Sequence, residues 1–175
     1  MTTELRGRPA APAAGALRAV GPPPNADVCL VGALLYGSTS AAAALLELVR
    51  DDDIESNALA AVLAAIRRLT AAGARCDPPL VLDELQRAGE IRNHNGVTDA
   101  LQAAVTSGAD PLAARHYGAA VVARSLRRRF DSAGAALQSA AREASEAELS
   151  SHAELLARVI GDTAARLETL RGHQT

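Results

Sequence analysis

Apolar residues recur along most of this chain at the spacing of an α-helix. The clearest run is Leu59, Val62, Leu63, Ile66 and Leu69, which would share one face of a helix. No segment alternates apolar and polar residues convincingly, as a half-buried strand does. The pattern therefore predicts an all-α protein.

Capping residues, glycines and prolines divide this pattern into separate helices. Asn25 and Asp77 favour helix starts, and Pro78 follows at the first helical position. Gly37 and Gly73 favour helix ends. The predicted helices are Ala26–Tyr36, Ala41–Arg50, a third helix that starts at Asp51–Asp53 and runs to about Ala72, Pro78–Ala88, Val97–Val105, Pro111 to about Ala144, and Ser151–Arg171, with a turn at Asn93–Gly96.

The last two predicted helices are long enough to form an antiparallel hairpin that follows a compact head. Ser151 and Glu154 have the spacing of a capping box at the start of the second arm. The apolar stripe of that arm could face the first arm, a second copy of the chain, or both; it is Leu155, Leu156, Val159, Ile160, Leu167 and Leu170. The predicted organisation is a disordered lead (1–24), a helical head (25–109) and a hairpin (110–172) that forms one domain with the head.

Composition narrows the range of functions. Hydrophobic residues make up 49% of the chain and aromatic residues only 2%, so the core must consist mainly of Ala, Leu, Val and Ile. The formal net charge of −2 favours neither nucleic acid nor an acidic ligand as a partner. The chain contains no lysine, which excludes both a Walker A loop and a Schiff-base lysine. We therefore predict no enzyme activity, no intrinsic ATPase and no cofactor.

The remaining candidates for site chemistry are weak. Cys29 and Cys76 are isolated, and the four histidines (His94, His116, His152 and His173) lack metal-ligand spacing. Consecutive aspartates at 51–53 seldom point at one ion, so a role at a helix start is the better interpretation than a metal site. The sequence has neither a membrane-length apolar run nor the apolar region of a signal peptide, which predicts a cytoplasmic protein without membrane contact.

Short signals recur in a definite order along residues 22–130. They are Pro23-Pro24, Ala26-Asp27, Leu30 to Leu35, Asp53-Ile54, Val62, Ala65-Ile66, Leu69, Gly73, Asp77, Glu84-Leu85, Gly89 to Ile91, Asn95-Gly96, Tyr117 to Val121, and Arg124 to Arg129. Their order and spacing resemble the N-terminal domain of the DnaB-type replicative DNA helicase. That domain opens with a proline pair and a Val-Leu-Gly-Ala-Leu-Leu run, and its hairpin begins with Tyr-Ala-x-Ile-Val and a basic stretch. Two positions depart from the family: Ile54-Glu55 replaces a Phe-Tyr pair, and Leu59 replaces a histidine.

The resemblance implies a role in assembly. In the family, hairpins pair into dimers, heads join the dimers into a ring, and primase and loader proteins dock on the hairpin. For this chain it implies self-association as a dimer or a trimer of dimers, binding to replicative helicase, primase or helicase loader, and at most weak or indirect contact with DNA. The residues expected at the oligomer or partner interface are Tyr117, Val121, Leu126, Leu156, Ile160 and Leu167.

Two other hypotheses remain open from the sequence. Arg124, Arg127 and Arg128, with Arg129 beside them, could contact phosphate or an acidic partner, which would suit a nucleic-acid-binding regulator. The same arginines could instead form a solvated helix face or pair with Asp131 and the glutamates of the other arm. The third hypothesis is a plain helical dimer of unrelated function, which a simple four-helix bundle would favour over a head with a hairpin.

Overall fold

The architecture is all-α, as predicted. The structure is a computed structural model, and it describes residues 25–93 and 95–172; the predicted lead at 1–24 lies outside them. Within these ranges there are eight α-helices and two short 3-10 turns, at Asp51–Asp53 and Pro111–Ala113. The helices are α1 (Ala26–Tyr36), α2 (Thr39–Leu46), α3 (Asn57–Ala71), α4 (Pro78–Arg87), α5 (Glu90–Asn93), α6 (Val97–Val105), α7 (Ala114–Glu143) and α8 (Glu146–Arg171).

Helix α1 lies at the centre of the head. It contacts α3, α6 and α7, and its apolar residues from Leu30 to Leu35 are almost fully buried. Gly32 allows α6 to approach closely, because a Cβ at this position would collide with the Ala104 carbonyl oxygen and the Ser107 hydroxyl. A helix that is apolar on all sides is expected at such a central position.

Side-chain caps fix where several helices begin. The Asn25 side chain accepts a hydrogen bond from the Asp27 amide at 3.1 Å, and Ser38 Oγ accepts one from the Ala41 amide at 3.2 Å. Ser56 Oγ accepts one from the Leu59 amide at 3.4 Å. Each cap satisfies a backbone donor that has no partner inside its helix.

Helix α2 ends earlier than predicted: the expected last residue was Arg50. It stops at Leu46, because the Arg67 guanidinium from α3 donates to the carbonyl oxygens of Leu46 at 2.7 Å and Val49 at 2.9 Å. These bonds satisfy carbonyl groups at the end of the helix while the chain turns away. The apolar spacing of Leu45, Leu46 and Val49 suggested a longer helix, but all three are buried by the turn as well.

The three consecutive aspartates do not begin the third helix. Asp51–Asp53 forms a separate 3-10 turn, Ile54 is extended, and α3 begins at Asn57. The prediction that the third helix starts here was wrong, because the aspartates begin only their own short turn. The Asp53 carboxylate accepts a hydrogen bond from the Arg50 amide at 2.9 Å, as in a capping box, and Ser56 caps α3 separately.

Two boundaries near the chain's later turns also differ from the prediction. The second arm begins at Glu146 and not at Ser151, because Ser145 and Glu148 form the capping box six residues earlier. The segment Glu90–Asn93 is a short helix. Asn95 and Gly96 form a turn, and the φ of 82° at Gly96 suits glycine. None of the described helices combines the length and apolarity that crossing a membrane requires.

Candidate interaction surfaces of the helical hairpin

The two longest helices, α7 and α8, form an antiparallel hairpin. At 30 residues, α7 extends for about 45 Å. Val121, Val122, Leu167 and Leu170 join the hairpin to the hydrophobic core of the head. Gly118 permits this contact, because a Cβ there would stand 3.1 Å from Leu45 Cδ1 of α2. The base of the hairpin is therefore held against the head by close packing.

A buried ionic cluster at Asp53 adds a polar connection between head and hairpin. Arg166 of α8 donates to both carboxylate oxygens of Asp53, at 2.5 and 3.2 Å. Ser125 of α7 donates to the same carboxylate at 2.7 Å, and Arg129 lies 3.6 Å away. Asp53 is fully buried and Arg166 is 7% exposed. One carboxylate of the head is thus bound by both arms of the hairpin.

The hydrogen bonds of this cluster control the charge state of its members. Burial alone would raise the pKa of Asp53, but hydrogen bonds from Arg166, the Arg50 amide and Ser125 outweigh burial and lower it. Burial disfavours the charged form of Arg166, whereas the hydrogen bond to Asp53 raises its pKa above the usual value. Both groups are therefore charged at neutral pH.

A second ion pair connects α7 to α1. Arg124 donates to Asp27 at 2.5 Å and to the Asn25 side chain at 3.1 Å. Burial raises the pKa of Asp27 more than the neighbouring Arg124 and Arg128 lower it. Arg124 is consequently part of the contact between the head and the hairpin.

The predicted arginine cluster is mostly engaged within the chain. Arg128 donates to the Asp53 carbonyl oxygen at 2.6 Å, and Arg129 donates to Asp52 at 2.8 Å. The carboxylates that they meet belong to the head and not to the opposite arm, where the sequence suggested partners. Arg127 is exposed, and its side chain forms no hydrogen bond or ion pair with the described residues.

The six residues predicted at an interface occupy two kinds of position. Val121 and Leu167 are buried in the core of the single chain, at 0% and 5% exposure, so they present no free surface to a partner. Within the single chain the head already covers these two, and their contact with a partner stays a prediction. The half-buried members are Tyr117, Leu126, Leu156 and Ile160.

Other apolar side chains on the distal half of the hairpin, residues 130–160, are more exposed. Beyond Arg129, the buried residues of α7 are Ala133 and Ala140, and the buried residues of α8 begin at Thr163. Large apolar side chains stand outside this narrow seam: Phe130 (56% exposed), Leu137 (45%), Leu149 (38%), Leu155 (53%) and Val159 (37%). Neither Phe130 nor Leu137 is among the residues predicted at an interface, although their i, i+7 spacing indicates that they share one face of the helix.

The described residues contain no group of three or more His, Cys, Asp or Glu side chains arranged to hold a metal ion. Cys29 and Cys76 are buried free thiols, and burial raises the pKa of Cys29. His116 and His152 are exposed on the hairpin, while His94 and His173 lie outside the described residues.

The fold of this chain is similar to that of a protein domain whose structure has been solved. A crystal structure of the N-terminal domain of DnaB helicase from Mycobacterium tuberculosis matches with a TM-score of 0.66 and 27% sequence identity. The match covers 81% of this chain and 99% of that domain. The chain has the fold of a DnaB N-terminal domain. No protein-family model and no curated protein sequence matches the chain.

The match confirms the resemblance drawn from the residues and argues against a simple four-helix bundle. It extends over 81% of this chain, more than the head or the hairpin alone makes up, and over nearly all of the DnaB domain. The chain is therefore similar to the N-terminal module of a replicative helicase. The solved structure is itself that of an N-terminal domain, separate from the rest of its helicase.

Proposed function

We propose that this chain is a self-associating assembly and docking module in DNA replication. The observation that carries the proposal is the set of exposed apolar side chains on the distal half of the hairpin. Phe130, Leu137 and Leu155 are each about half exposed, although the neighbouring arm is available to cover them. The similarity to a DnaB N-terminal domain supports replication as the setting.

Burial of these side chains against another hairpin would stabilise a dimer. Complete burial of one large apolar side chain contributes about 1.5–3 kcal/mol, so several of them can offset the entropy lost on association. The half-buried Leu156 and Ile160 lie next to the exposed side chains on α8 and would extend the contact. Pairing of two such arms would also leave the head free for other contacts.

The first test is molar mass by light scattering over a concentration series, for the parent and for Leu155→Glu. We expect the parent to form a dimer or a larger ring. A charge at a buried interface position costs at least about 2 kcal/mol, so the variant should weaken association by at least about 30-fold. Circular dichroism should show unchanged helix content, because Leu155 is 53% exposed in the single chain.

Leu112→Glu provides a matched control, since Leu112 is 91% exposed but lies in the turn before α7, far along the chain from the distal half. It should associate as the parent does. A parent that stays monomeric at every concentration, or a Leu155→Glu variant that assembles like the parent, would refute self-association through the distal half. Leu167→Glu is unsuitable, because this residue is in the core and its substitution would unfold the chain.

Docking to other replication proteins is the second part of the proposal. The partners expected are the replicative helicase, primase or a helicase loader, and the hairpin is the proposed contact surface. Sedimentation of the purified chain with each purified partner should give a complex that Leu155→Glu weakens and Leu112→Glu does not. If none of the three partners forms a complex, the docking role is wrong even where self-association is found.

The alternative function, regulation through nucleic-acid binding, has less support because Arg124, Arg128 and Arg129 already bind carboxylates of the head. Within this cluster, Arg127 is the arginine that pairs with no described residue, and a single phosphate contact gives little affinity. We therefore expect no retarded band with duplex or single-stranded DNA at 150 mM salt. A salt-dependent shift that Arg127→Glu abolishes would favour the alternative.

A further inference from the structure

A second exposed apolar surface lies on the head, between α4 and α6. The two helices are in contact and leave an open groove of about 340 Å³. That volume is at the lower end of the usual range of small binding pockets, about 300–1,000 Å³. The groove is lined mainly by apolar side chains, with two polar residues at its edge: Pro78, Pro79, Leu82, Leu101 and Val105, with Thr98 and Gln102.

One carboxylate lies beside each wall of the groove. Asp83 follows Pro79 by four positions on α4, and Asp99 precedes Gln102 by three positions on α6, so each shares a side of its helix with a groove residue. Both aspartates are exposed, and neither forms an ion pair with any described residue. The sides of the groove therefore carry two uncompensated negative charges.

The neighbouring cations do not neutralise these charges. Arg75 pairs with Asp77 at 3.0 Å, and Arg87 pairs with Glu84 at 2.5 Å. The Glu84 carboxylate also accepts from Arg68 at 2.6 Å, and these two hydrogen bonds lower its pKa. The arginines near α4 are thus committed to other carboxylates.

We infer that this groove binds an amphipathic helix of a partner protein, with an apolar face toward the groove and Lys or Arg on its flanks. Two adjacent helices with an open apolar seam accept a third helix in the same way as other helix-binding grooves. The free aspartates on both walls select a basic sequence, because opposite charges at the edge favour the correct partner and repel acidic ones.

A symmetric contact between two copies of the chain fits this surface poorly. In such a contact each groove would face its own copy, which would bring Asp83 and Asp99 of one chain close to the same residues of the other. Like charges at a contact oppose association. The inferred site lies on the head and is independent of the distal half, so it stands or falls separately from the proposed self-association.

The test uses three synthetic 18-residue helical peptides with the same leucine stripe and with Lys, Gln or Glu on the flanks. Binding is measured by fluorescence anisotropy at 50 mM salt, and the site is located by amide chemical shifts in the labelled protein. We expect affinity to fall in the order Lys, Gln, Glu, with about a tenfold step for two exposed charge pairs between the Lys and Gln peptides. Shift changes should centre on Leu82, Leu101 and Val105.

The double variant Asp83→Arg, Asp99→Arg should reverse the order of the peptides, and both sites are exposed enough to keep the fold intact. Leu80→Ser is the matched control on α4, because Leu80 is 44% exposed and lies on the opposite side of the helix from Pro79 and Leu82. It should bind like the parent. The inference is overturned if no peptide binds saturably below 1 mM, if the order survives charge reversal, if the shifts map to another surface, or if a second copy occupies the groove.

Discussion

Substitution of Arg166 should show how much the polar connection between head and hairpin adds to the stability that their apolar packing provides. Arg166→Met keeps the apolar stem of the side chain but deletes the guanidinium group. The hydrogen bonds lost are both bonds to Asp53, the one to the Leu48 carbonyl oxygen at 2.9 Å, and those to Asp162 at 3.2 Å and Thr163 at 3.3 Å. The Asp53 carboxylate then remains fully buried without its main cation. Breaking a buried ion pair from one side costs about 3–5 kcal/mol.

The lower end of this range is expected here. Asp53 would keep the hydrogen bonds from Ser125 and the Arg50 amide, and Arg129 would remain within 3.6 Å. We therefore predict a loss of about 3 kcal/mol in the free energy of unfolding, which corresponds to a fall of about 6–12 °C in Tm for a chain of this size.

The assay is urea unfolding followed by circular dichroism at pH 7 and at one fixed protein concentration. Arg158→Met is the control, because Arg158 is exposed on the same helix and forms no ion pair with the described residues. A double-mutant cycle with Asp53→Asn should give a coupling energy above about 1 kcal/mol for the pair. If Arg166→Met and Arg158→Met unfold at the same urea concentration, the stabilising role assigned to the buried pair is wrong.

Three further measurements test other parts of the structure. Hydrogen bonds hold the pKa of Asp53 below that of an unfolded aspartate, about 3.9, so its contribution to folding stability is present above that pH and is lost as the pH falls through the folded value. In urea titrations the stability difference between the parent and Asp53→Asn should therefore shrink below about pH 4, and a constant difference would contradict this. Gly118→Ala should lower Tm, since its Cβ would stand 3.1 Å from a leucine methyl group of α2. Gly134→Ala, whose Cβ would meet nothing within 4 Å, should stabilise the chain by about 1 kcal/mol, and equal Tm shifts of the two variants would refute the close approach at Gly118. Glu84→Ala should cost about 2 kcal/mol in urea unfolding because it removes charged hydrogen bonds from Arg68 and Arg87, and a loss below about 0.5 kcal/mol would show that the pairs are screened by water.

Local signals in the sequence predicted much of the head. The cap at Asn25 and the start at Pro78 are where the pattern placed them, because caps and proline act through the adjacent backbone. The prediction that α8 begins at Ser151 was wrong, since Ser145 and Glu148 form a capping box of the same spacing six residues upstream. Where two local signals compete, sequence spacing alone does not rank them.

Local signals in the sequence could not predict which charged side chains of the head and the hairpin form ion pairs. Asp53 and Arg166 are 113 positions apart, so no spacing rule connects them, and the aspartate triplet suggested a helix start instead. The arginines of α7 formed a recognisable cluster, but only packing of the head against the hairpin brought Asp27 and Asp52 within reach of them. Long-range contacts of this kind depend on the relative placement of whole helices.

The chain by itself determined the helix content, the long hairpin and the resemblance to a DnaB N-terminal domain, because helical periodicity and capping are properties of neighbouring residues. Only the tertiary structure decided which apolar residues of the hairpin remain exposed. Leu155 and Leu167 belong to the same predicted stripe, yet the head covers Leu167 and leaves Leu155 half exposed. Periodicity defines the face of a helix, whereas burial depends on what the fold brings against each turn of that face.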